Sequence, residues 1–228
     1  MRKSVLRAAC LAGAALVAVV AVPAHASGNP FAGLSADQIG SKAFADLHGA
    51  TSLHLTGSGK SAGQSVTVNM SLSSKGCDGT LGLAHKGSFV LLSIGKSAWI
   101  KPSDQFWETE GGVSKSELSL VSGKYIALTG SLAKGLSAIT TFCTPKAFAA
   151  NYKGRVTGLV KGKTTSIGGR PALELKDLNG SGYVYVSVSA KPEILRTAEP
   201  GKGSFSFSRY GARVTLTPPA PSDVIKIP

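Results

Sequence analysis

The sequence predicts an α+β protein: a curved antiparallel β-sheet, or half-open barrel, with helices packed on its concave face. Three observations lead to this fold class. One amphipathic helix stands near the start, two long stretches alternate apolar and polar residues, and short helical segments separate those stretches. With 228 residues, the chain is long enough for one domain with a sizeable core.

The segment 1–26 has the composition of a secretion signal peptide. Three basic residues stand within the first seven positions, an apolar run follows over 11–22, and small residues precede Ser27. Cleavage is therefore expected between Ala26 and Ser27. The apolar run is shorter than the roughly 20 residues that a membrane-spanning helix needs.

The cysteine nearest to the signal peptide does not form an evident lipobox. Cys10 precedes the apolar run instead of following it, and Arg7 stands three residues upstream, where a lipobox would carry leucine. We therefore expect a secreted protein of the extracytoplasmic cell envelope.

After the signal peptide we expect a lead-in over 27–34, a single α+β domain over 35–217 and a proline-rich tail over 218–228. The domain should begin with a helix over 35–48. Ser35 and Gln38 have the spacing of a capping box, in which each side chain satisfies a free backbone N–H. Apolar residues then recur every fourth position, which predicts one buried stripe.

The alternating stretches predict two groups of antiparallel strands around a helical insert. Five strands should form a meander, with Gly95 and Lys96 in one of its hairpin turns. These strands are expected near 53–56, 66–73, 81–83, 89–92 and 98–100. Helical segments are expected at 103–107, 114–120, 131–139 and 145–151. Further strands are expected near 157–167, 171–176, 183–189, 192–198, 203–208 and 213–217.

Cys77 and Cys143 are the two cysteines beyond the signal peptide. Two cysteines in a secreted chain of this size usually pair. We therefore predict a disulfide between them.

Basic residues outnumber acidic residues by 25 to 12. The stretch 118–173 contains no acid at all, which predicts a basic face. Outside the cytoplasm, such a face would meet an anionic membrane surface or a cell-wall polymer, not nucleic acid. A solvated surface without a partner explains the same pattern. The basic-face candidates are Lys146, Lys153, Arg155, Lys161, Lys163 and Arg170.

No motif predicts catalysis, and we expect neither an enzyme, a bound metal nor a cofactor. The segment 57–61 imitates a phosphate-binding loop, but His54 stands where the motif needs its first glycine. Gly57 and Gly59 are therefore interpreted as turn glycines. The histidines and acids are scattered, with no spacing typical of a catalytic or metal site.

Apolar and aromatic residues in the insert and in the strands are the candidates for a ligand cavity. A curled sheet with helices inside it leaves space between its layers, and small-molecule sites are commonly apolar. Packing in the core is the alternative interpretation for each of these side chains. The ligand-cavity candidates are Phe89, Leu91, Trp99, Phe106, Trp107, Phe142, Phe148, Tyr183 and Tyr185.

A series of short motifs across roughly 35–227 resembles the LppX/LprG-type bacterial envelope lipoproteins of the LolA-like superfamily. The first motifs are Lys75-Gly76-Cys77-Asp78-Gly79-Thr80, Ile94-Gly95-Lys96-Ser97-Ala98-Trp99-Ile100-Lys101, Phe106-Trp107 and Gly123-Lys124-Tyr125-Ile126. The later motifs are Gly168-Gly169-Arg170-Pro171-Ala172, Tyr185-Val186, Lys191-Pro192, Leu195-Arg196, Phe207-Ser208 and Tyr210-Gly211. The resemblance implies a half-open barrel whose cavity holds acyl chains. Family members usually carry a lipobox cysteine, which this sequence lacks.

These observations together predict a secreted, monomeric, non-enzymatic protein that binds a lipid, a lipoglycan or another amphiphile, as an envelope lipid carrier does. The alternative is an interaction or sensing domain of the cell envelope, built on the same fold with no bound lipid.

Overall fold

The computed structural model describes residues 29–61, 63–150, 157–180 and 182–225. The expected signal peptide with its cleavage site at Ala26 and Ser27 lies outside the described residues, as do Lys153 and Arg155.

The first helix, α1, spans Ala36–Gly49 and is confirmed with its predicted capping box. The backbone N–H of Gln38 donates to the Ser35 hydroxyl at 3.1 Å, and the Ser35 N–H donates to the Gln38 side-chain oxygen at 2.8 Å. Ile39 and Ala43 are fully buried on the stripe that faces the sheet. The cap therefore defines where the helix begins, and the stripe defines which side packs.

The first meander is confirmed as five consecutive antiparallel strands. Gly95 adopts a φ of 60° in the turn between the last two, a conformation that glycine adopts at no steric cost. These strands are β1 (Ser52–Ser61), β2 (Gln64–Ser73), β3 (Gly76–Leu83), β4 (Gly87–Ile94) and β5 (Ser97–Pro102).

The helical insert follows β5 and contains one short strand that the sequence analysis missed. Its elements are α2 (Asp104–Thr109), α3 (Leu118–Val121), β6 (Tyr125–Ala127), α4 (Gly130–Gly135), α5 (Ser137–Thr140) and α6 (Pro145–Ala150). The missed strand has three residues, too few for an alternating pattern to stand out. The predicted segment 114–120 is helical only from Leu118, because the residues before it form a turn.

The second meander confirms five of its six predicted strands. They are β7 (Leu159–Ile167), β8 (Arg170–Asp177), β9 (Tyr183–Ser187), β10 (Ile194–Glu199) and β11 (Gly203–Ser208). The predicted strand at 213–217 is wrong. Val214 and Leu216 are half-buried between exposed neighbours, so this segment alternates as expected, but it is not a strand. One-sided burial of an extended segment produces the same alternation as a strand.

The twelve strands of the described residues join one curved, unclosed sheet. The last strand, β12 (Val224–Ile225), lies parallel to β6, and every other pairing is antiparallel. The two meanders meet where β1 pairs with β11. Along the sheet the strand order is β12-β6-β5-β4-β3-β2-β1-β11-β10-β9-β8-β7.

The core lies on the concave face of the sheet, beneath α1, α2 and α6. The disulfide between Cys77 and Cys143 is confirmed, with Cα atoms 4.8 Å apart. It links β3 to the turn that precedes α6, and Phe148 on α6 then packs edge-on against Phe207 at 5.7 Å between ring centres. One end of the concavity is thereby covered.

Candidate ligand-binding site

A cleft of about 290 Å³ lies at the other end of the concavity, between α1 and the strand ends. Phe44 of α1 stands on one side of it. Its apolar sheet side includes Val66, Val184 and Phe205, from β2, β9 and β11. Residues that pair in register lie on the same face of a sheet, and side chains alternate between the two faces along each strand. Both rules place these three residues on the concave face, which also carries the core. The complete lining is Phe44, Gly59, Lys60, Val66, Leu159, Leu175, Asp177, Gly182, Tyr183, Val184, Thr197, Ala198, Glu199, Lys202, Gly203 and Phe205.

Glycines in β1 create the floor of this cleft. A Cβ on Gly59 would lie 3.2 Å from the Phe205 ring, and a Cβ on Gly57 would overlap the Ser204 carbonyl and Phe205. The ring therefore lies directly over the glycine backbone, which leaves no room for a Cβ at Gly57 and requires a small shift of the ring for one at Gly59. The interpretation of Gly57 and Gly59 as turn glycines is wrong, since both lie within β1.

The rim of the cleft is polar and is built from two hairpin turns and the end of β1. The Lys60 N–H donates to the Lys202 carbonyl at 2.8 Å, which ties β1 to the turn between β10 and β11. The Lys202 ammonium lies 3.2 Å from the Glu199 carboxylate. The Asp177 N–H donates to the Gly182 carbonyl at 3.1 Å. An apolar interior with charged groups at its mouth suits an amphiphile better than a uniformly polar ligand.

Asp37 fixes α1 above this end of the sheet. Its carboxylate accepts the N–H of Leu159 at 2.8 Å and the N–H of Gly158 at 3.3 Å. Leu159 opens β7 and lines the cleft, so the first turn of α1 holds one wall in place.

A second cleft of about 380 Å³ lies where the lead-in crosses the sheet. Asn29, Pro30 and Phe31 line one side of it, and Pro171 and Leu173 of β8 line the other. Phe31 is itself buried in the core. The lead-in is therefore part of the packed domain at this point.

Of the nine predicted cavity residues, Tyr183 borders the first cleft, but its ring lies on the convex face, because Tyr183 is in register with Lys176 while its neighbour Val184 is in register with the core residue Leu175. Leu91, Trp107 and Phe148 are buried in the core. Phe89 is also buried, and Phe106 packs edge-on against it at 5.5 Å between ring centres.

Phe142 differs from these packed residues, because it is 39% exposed while touching the Phe148 ring at 6.2 Å between ring centres. It lies near α6, away from the residues that line the cleft.

Trp99 and Tyr185 lie on the convex face of the sheet. Trp99 pairs with Leu92, whereas its neighbour Ile100 pairs with the core residue Leu91, so alternation places Trp99 on the side opposite to the core. Tyr185 stacks on Tyr183 at 6.5 Å between ring centres.

Tyr185 also has an altered pKa on this face. Partial burial, a hydrogen bond with Glu174 and the negative charge of that carboxylate raise the pKa of the Tyr185 hydroxyl. Its phenol therefore stays neutral at physiological pH.

The described basic-face candidates are spread over different elements. Lys146 is on α6, while Lys161 and Lys163 are on the edge strand β7. Arg170 opens β8 and forms an ion pair with Glu193 at 2.7 Å. Lys161 stands opposite Leu175, which lines the cleft, so its side chain leaves the sheet on the cleft side.

Most of the cleft residues are not among the predicted cavity residues. Val66 and Val184 are ordinary strand residues that lie far apart in sequence, and Phe44 is an ordinary helix residue. Only the sheet order brings these side chains together, and no local signal marks that convergence.

Within the described parts of the chain, no group of three or more His, Cys, Asp and Glu side chains is placed to hold a metal ion. His54, on the convex face, contacts the Ser71 hydroxyl at 3.1 Å through Nδ1. Burial, and next the charge of Arg209, lower the pKa of the His54 imidazole.

The helices of the described chain are all too short or too polar to cross a lipid bilayer.

Comparison with known proteins identifies a related fold. No protein-family model and no curated protein matches the chain. Among solved structures, the chain is similar to LprF from Mycobacterium bovis, with 13% identity and a TM-score of 0.53 over 81% of this chain and 97% of that one. An uncharacterized conserved protein from Thermus thermophilus also matches, with 13% identity and a TM-score of 0.36 over 84% and 99% of the two chains. The likeness to LprF shows a shared fold.

Proposed function

We propose that this protein is a non-enzymatic binding protein for an amphiphile, whose apolar part occupies the cleft beneath Phe44. The observation that carries the proposal is the cleft itself, with its apolar interior and charged rim. Each methylene group that leaves water for such a surface gains about 0.8 kcal/mol. The charged groups of Lys202, Glu199 and Asp177 at the rim remain in water beside the headgroup.

The proposed site of action is the extracytoplasmic cell envelope. The Cys77–Cys143 disulfide supports this location, since disulfides persist in oxidising compartments. The predicted signal peptide and the excess of basic residues support it as well. A net positive charge favours approach to anionic membrane surfaces or cell-wall polymers. A monomeric carrier that picks up its ligand at such a surface fits both properties.

A second candidate function is an interaction or sensing domain of the envelope without a bound lipid. The observation in its favour is that the core fills most of the concavity, including the predicted cavity residues Leu91, Trp107 and Phe148. The cleft beneath Phe44, at about 290 Å³, lies just below the volume range of small-molecule sites. In this case the cleft would be a packing defect between α1 and the strand ends.

Native mass spectrometry of protein secreted by its own host and purified without detergent separates the two functions. A discrete adduct that disappears on solvent extraction and is recovered as a lipid or other amphiphile would establish the binding function. A bare polypeptide mass that takes up no added amphiphile would favour the interaction domain.

A pair of variants tests whether the adduct sits in the cleft. Val66→Trp fills the cleft from β2, whereas Thr67→Trp adds the same side chain to the exposed convex face of the same strand. We expect Val66→Trp to lose the adduct and Thr67→Trp to keep it. Loss in both variants, or in neither, would place the ligand elsewhere.

A further inference from the structure

Two exposed apolar side chains lie together at the corner of the sheet beside the cleft. Val160 is 37% exposed and Leu178 is 67% exposed, which is unusual for large hydrophobic residues of the described chain. Val160 is in register with Lys176, and the Leu178 N–H donates to the Gly158 carbonyl at 3.0 Å, so β7 and β8 stay paired up to this corner. Single apolar residues scattered over a surface are normal, whereas a group of them indicates a contact surface.

This corner patch comprises Val160, Lys176, Leu178 and Tyr183, all on the convex face. Lys176 is in register with both Val160 and Tyr183, and residues in register share a face. Leu178 follows Lys176 by two positions, so alternation directs its side chain to the same face. The corner patch therefore lies behind the cleft, at the same end of the sheet.

The charge of the corner patch is positive. Lys176 is exposed and takes part in none of the ion pairs found among the described residues. Glu174 shares its face but lies two positions farther from the end of β8, where it hydrogen-bonds Tyr185. Glu199 lies 3.2 Å from the Lys202 ammonium, and Asp177 is in register with Leu159 on the concave face. The cation of the corner patch is therefore available to an anionic partner.

We infer that the corner patch docks the protein on an anionic lipid surface. Leu178 and Val160 leave water at the boundary between headgroups and acyl chains, and Lys176 lies beside a lipid phosphate. Tyrosine suits this boundary, because one end of its side chain is apolar and the other is polar. A docked protein holds the cleft close to the bilayer. This inference goes beyond the proposed function, since it concerns the docking surface and not the content of the cleft.

Two leucine variants test the apolar contact by co-sedimentation of the secreted protein with lipid vesicles. The parent should bind vesicles that mix phosphatidylglycerol with phosphatidylcholine, and Leu178→Ser should weaken this binding about tenfold, as expected for partial burial of one leucine. Leu120→Ser is the matched control and should bind like the parent. Leu120 is 72% exposed and lies on α3, between β5 and β6 near the other edge of the sheet. Equal loss in both variants, or loss in neither, would overturn the proposed contact.

Two lysine variants test the charge in the same experiment. Lys176→Gln should weaken binding to the phosphatidylglycerol vesicles about fivefold, as expected for one lysine at an anionic surface. Lys96→Gln removes the same charge from the β4–β5 turn, at the covered end of the sheet, and should have no such effect. Equal weakening by both variants would show that only the net charge matters and would overturn the docking site.

Failure of this inference is distinguishable from failure of the proposed function. Absence of binding to phosphatidylglycerol vesicles would refute docking, while an extractable amphiphile in native mass spectrometry would leave the binding function standing. Analytical ultracentrifugation adds a second check. A dimer that Leu178→Ser dissociates would show that the corner patch joins two copies of the chain, and would overturn the lipid surface as its partner.

Discussion

The two ends of the concave face are built differently. At the closed end, Leu53, Leu72 and Leu91 are essentially inaccessible to solvent, and they belong to the same buried cluster as the disulfide and Phe148 of α6. At the open end, the same sheet continues through Gly59 and Val66, and the space above them is only partly filled. One sheet therefore supports both a packed core and a cleft. Side chains that pair in register form a row across the sheet, and their size determines whether that row is packed or leaves a cleft.

The two ends of the concave face therefore have different roles. The closed end holds the sheet in its curved shape, since its side chains interdigitate and a covalent bond joins two layers. The open end tolerates glycine because Phe205 covers the backbone there. We expect substitutions at the closed end to change mainly stability and substitutions at the open end to change mainly binding.

The largest expected effect comes from the disulfide at the closed end. Replacing both Cys77 and Cys143 by alanine frees a loop of 66 residues, and the chain-entropy relation predicts a loss of about 4 kcal/mol in the free energy of unfolding. Urea denaturation followed by circular dichroism measures it. The denaturant slope should also rise, because the unfolded chain becomes more expanded. An unchanged midpoint would show that the closed end does not depend on this bond.

Leu91→Ala and Leu175→Ala compare the ends directly. Both side chains are fully buried, but Leu175 borders the cleft and Leu91 does not. Leu91→Ala should lower the free energy of unfolding by about 3 kcal/mol, because it leaves an enclosed cavity. Leu175→Ala should cost closer to about 2 kcal/mol, because its space merges with one that is already open. Equal costs in matched denaturation experiments would contradict the distinction between a filled end and an open end.

Asp37→Ala tests the attachment of α1 above the open end. The variant loses two backbone hydrogen bonds to a carboxylate, those from Gly158 and Leu159. We expect a loss of about 1–2 kcal/mol in the free energy of unfolding, reduced from the buried value by solvent screening. Amide hydrogen exchange at Leu159 should accelerate, while exchange in β3 and β4 stays slow. Faster exchange throughout the protein would show that the substitution destabilises the whole fold and not only the attachment of α1.

The smallest effect concerns His54 on β1, the strand shared by both ends. Its pKa is lower in the folded protein than the 6.5 of a free histidine, so the unfolded chain binds the proton more tightly. This contribution to stability is present above about pH 6.5 and is lost as the pH falls through the lowered pKa of the folded protein. His54→Gln should reduce the drop in denaturation midpoint between about pH 7.5 and about pH 5.5. A drop identical to that of the parent would exclude this histidine as its source.

Local sequence signals predicted the elements whose formation depends on neighbouring residues. The capping box of Ser35 and Gln38 defined α1, because a helix start needs its free N–H groups satisfied within one turn. Alternation defined the strands of the two meanders, because a sheet with one buried face imposes a period of two. The same alternation predicts a strand at 213–217, and this prediction is wrong because one-sided burial occurs there without a neighbouring strand.

The cleft could not be predicted in the same way. Phe44, Val66, Val184 and Phe205 are each ordinary as a helix or strand residue, and their proximity depends on the order of β1, β2, β9 and β11. The nine aromatic and apolar candidates were chosen by residue type, and residue type does not distinguish a cavity wall from a core or from the convex face. Trp99 illustrates this, since a shift of one position along β5 would place it on the other side of the sheet.

The sequence by itself determined α1, the alternating strands, the pairing of the two cysteines and the excess of positive charge, because each depends on local order or on composition. The tertiary structure decided where β6 and β12 pair, which apolar side chains fill the closed end, and where glycines and Phe205 leave a cleft. Those outcomes depend on which residues from distant strands share one row of the sheet, and rows form only when the whole chain has folded.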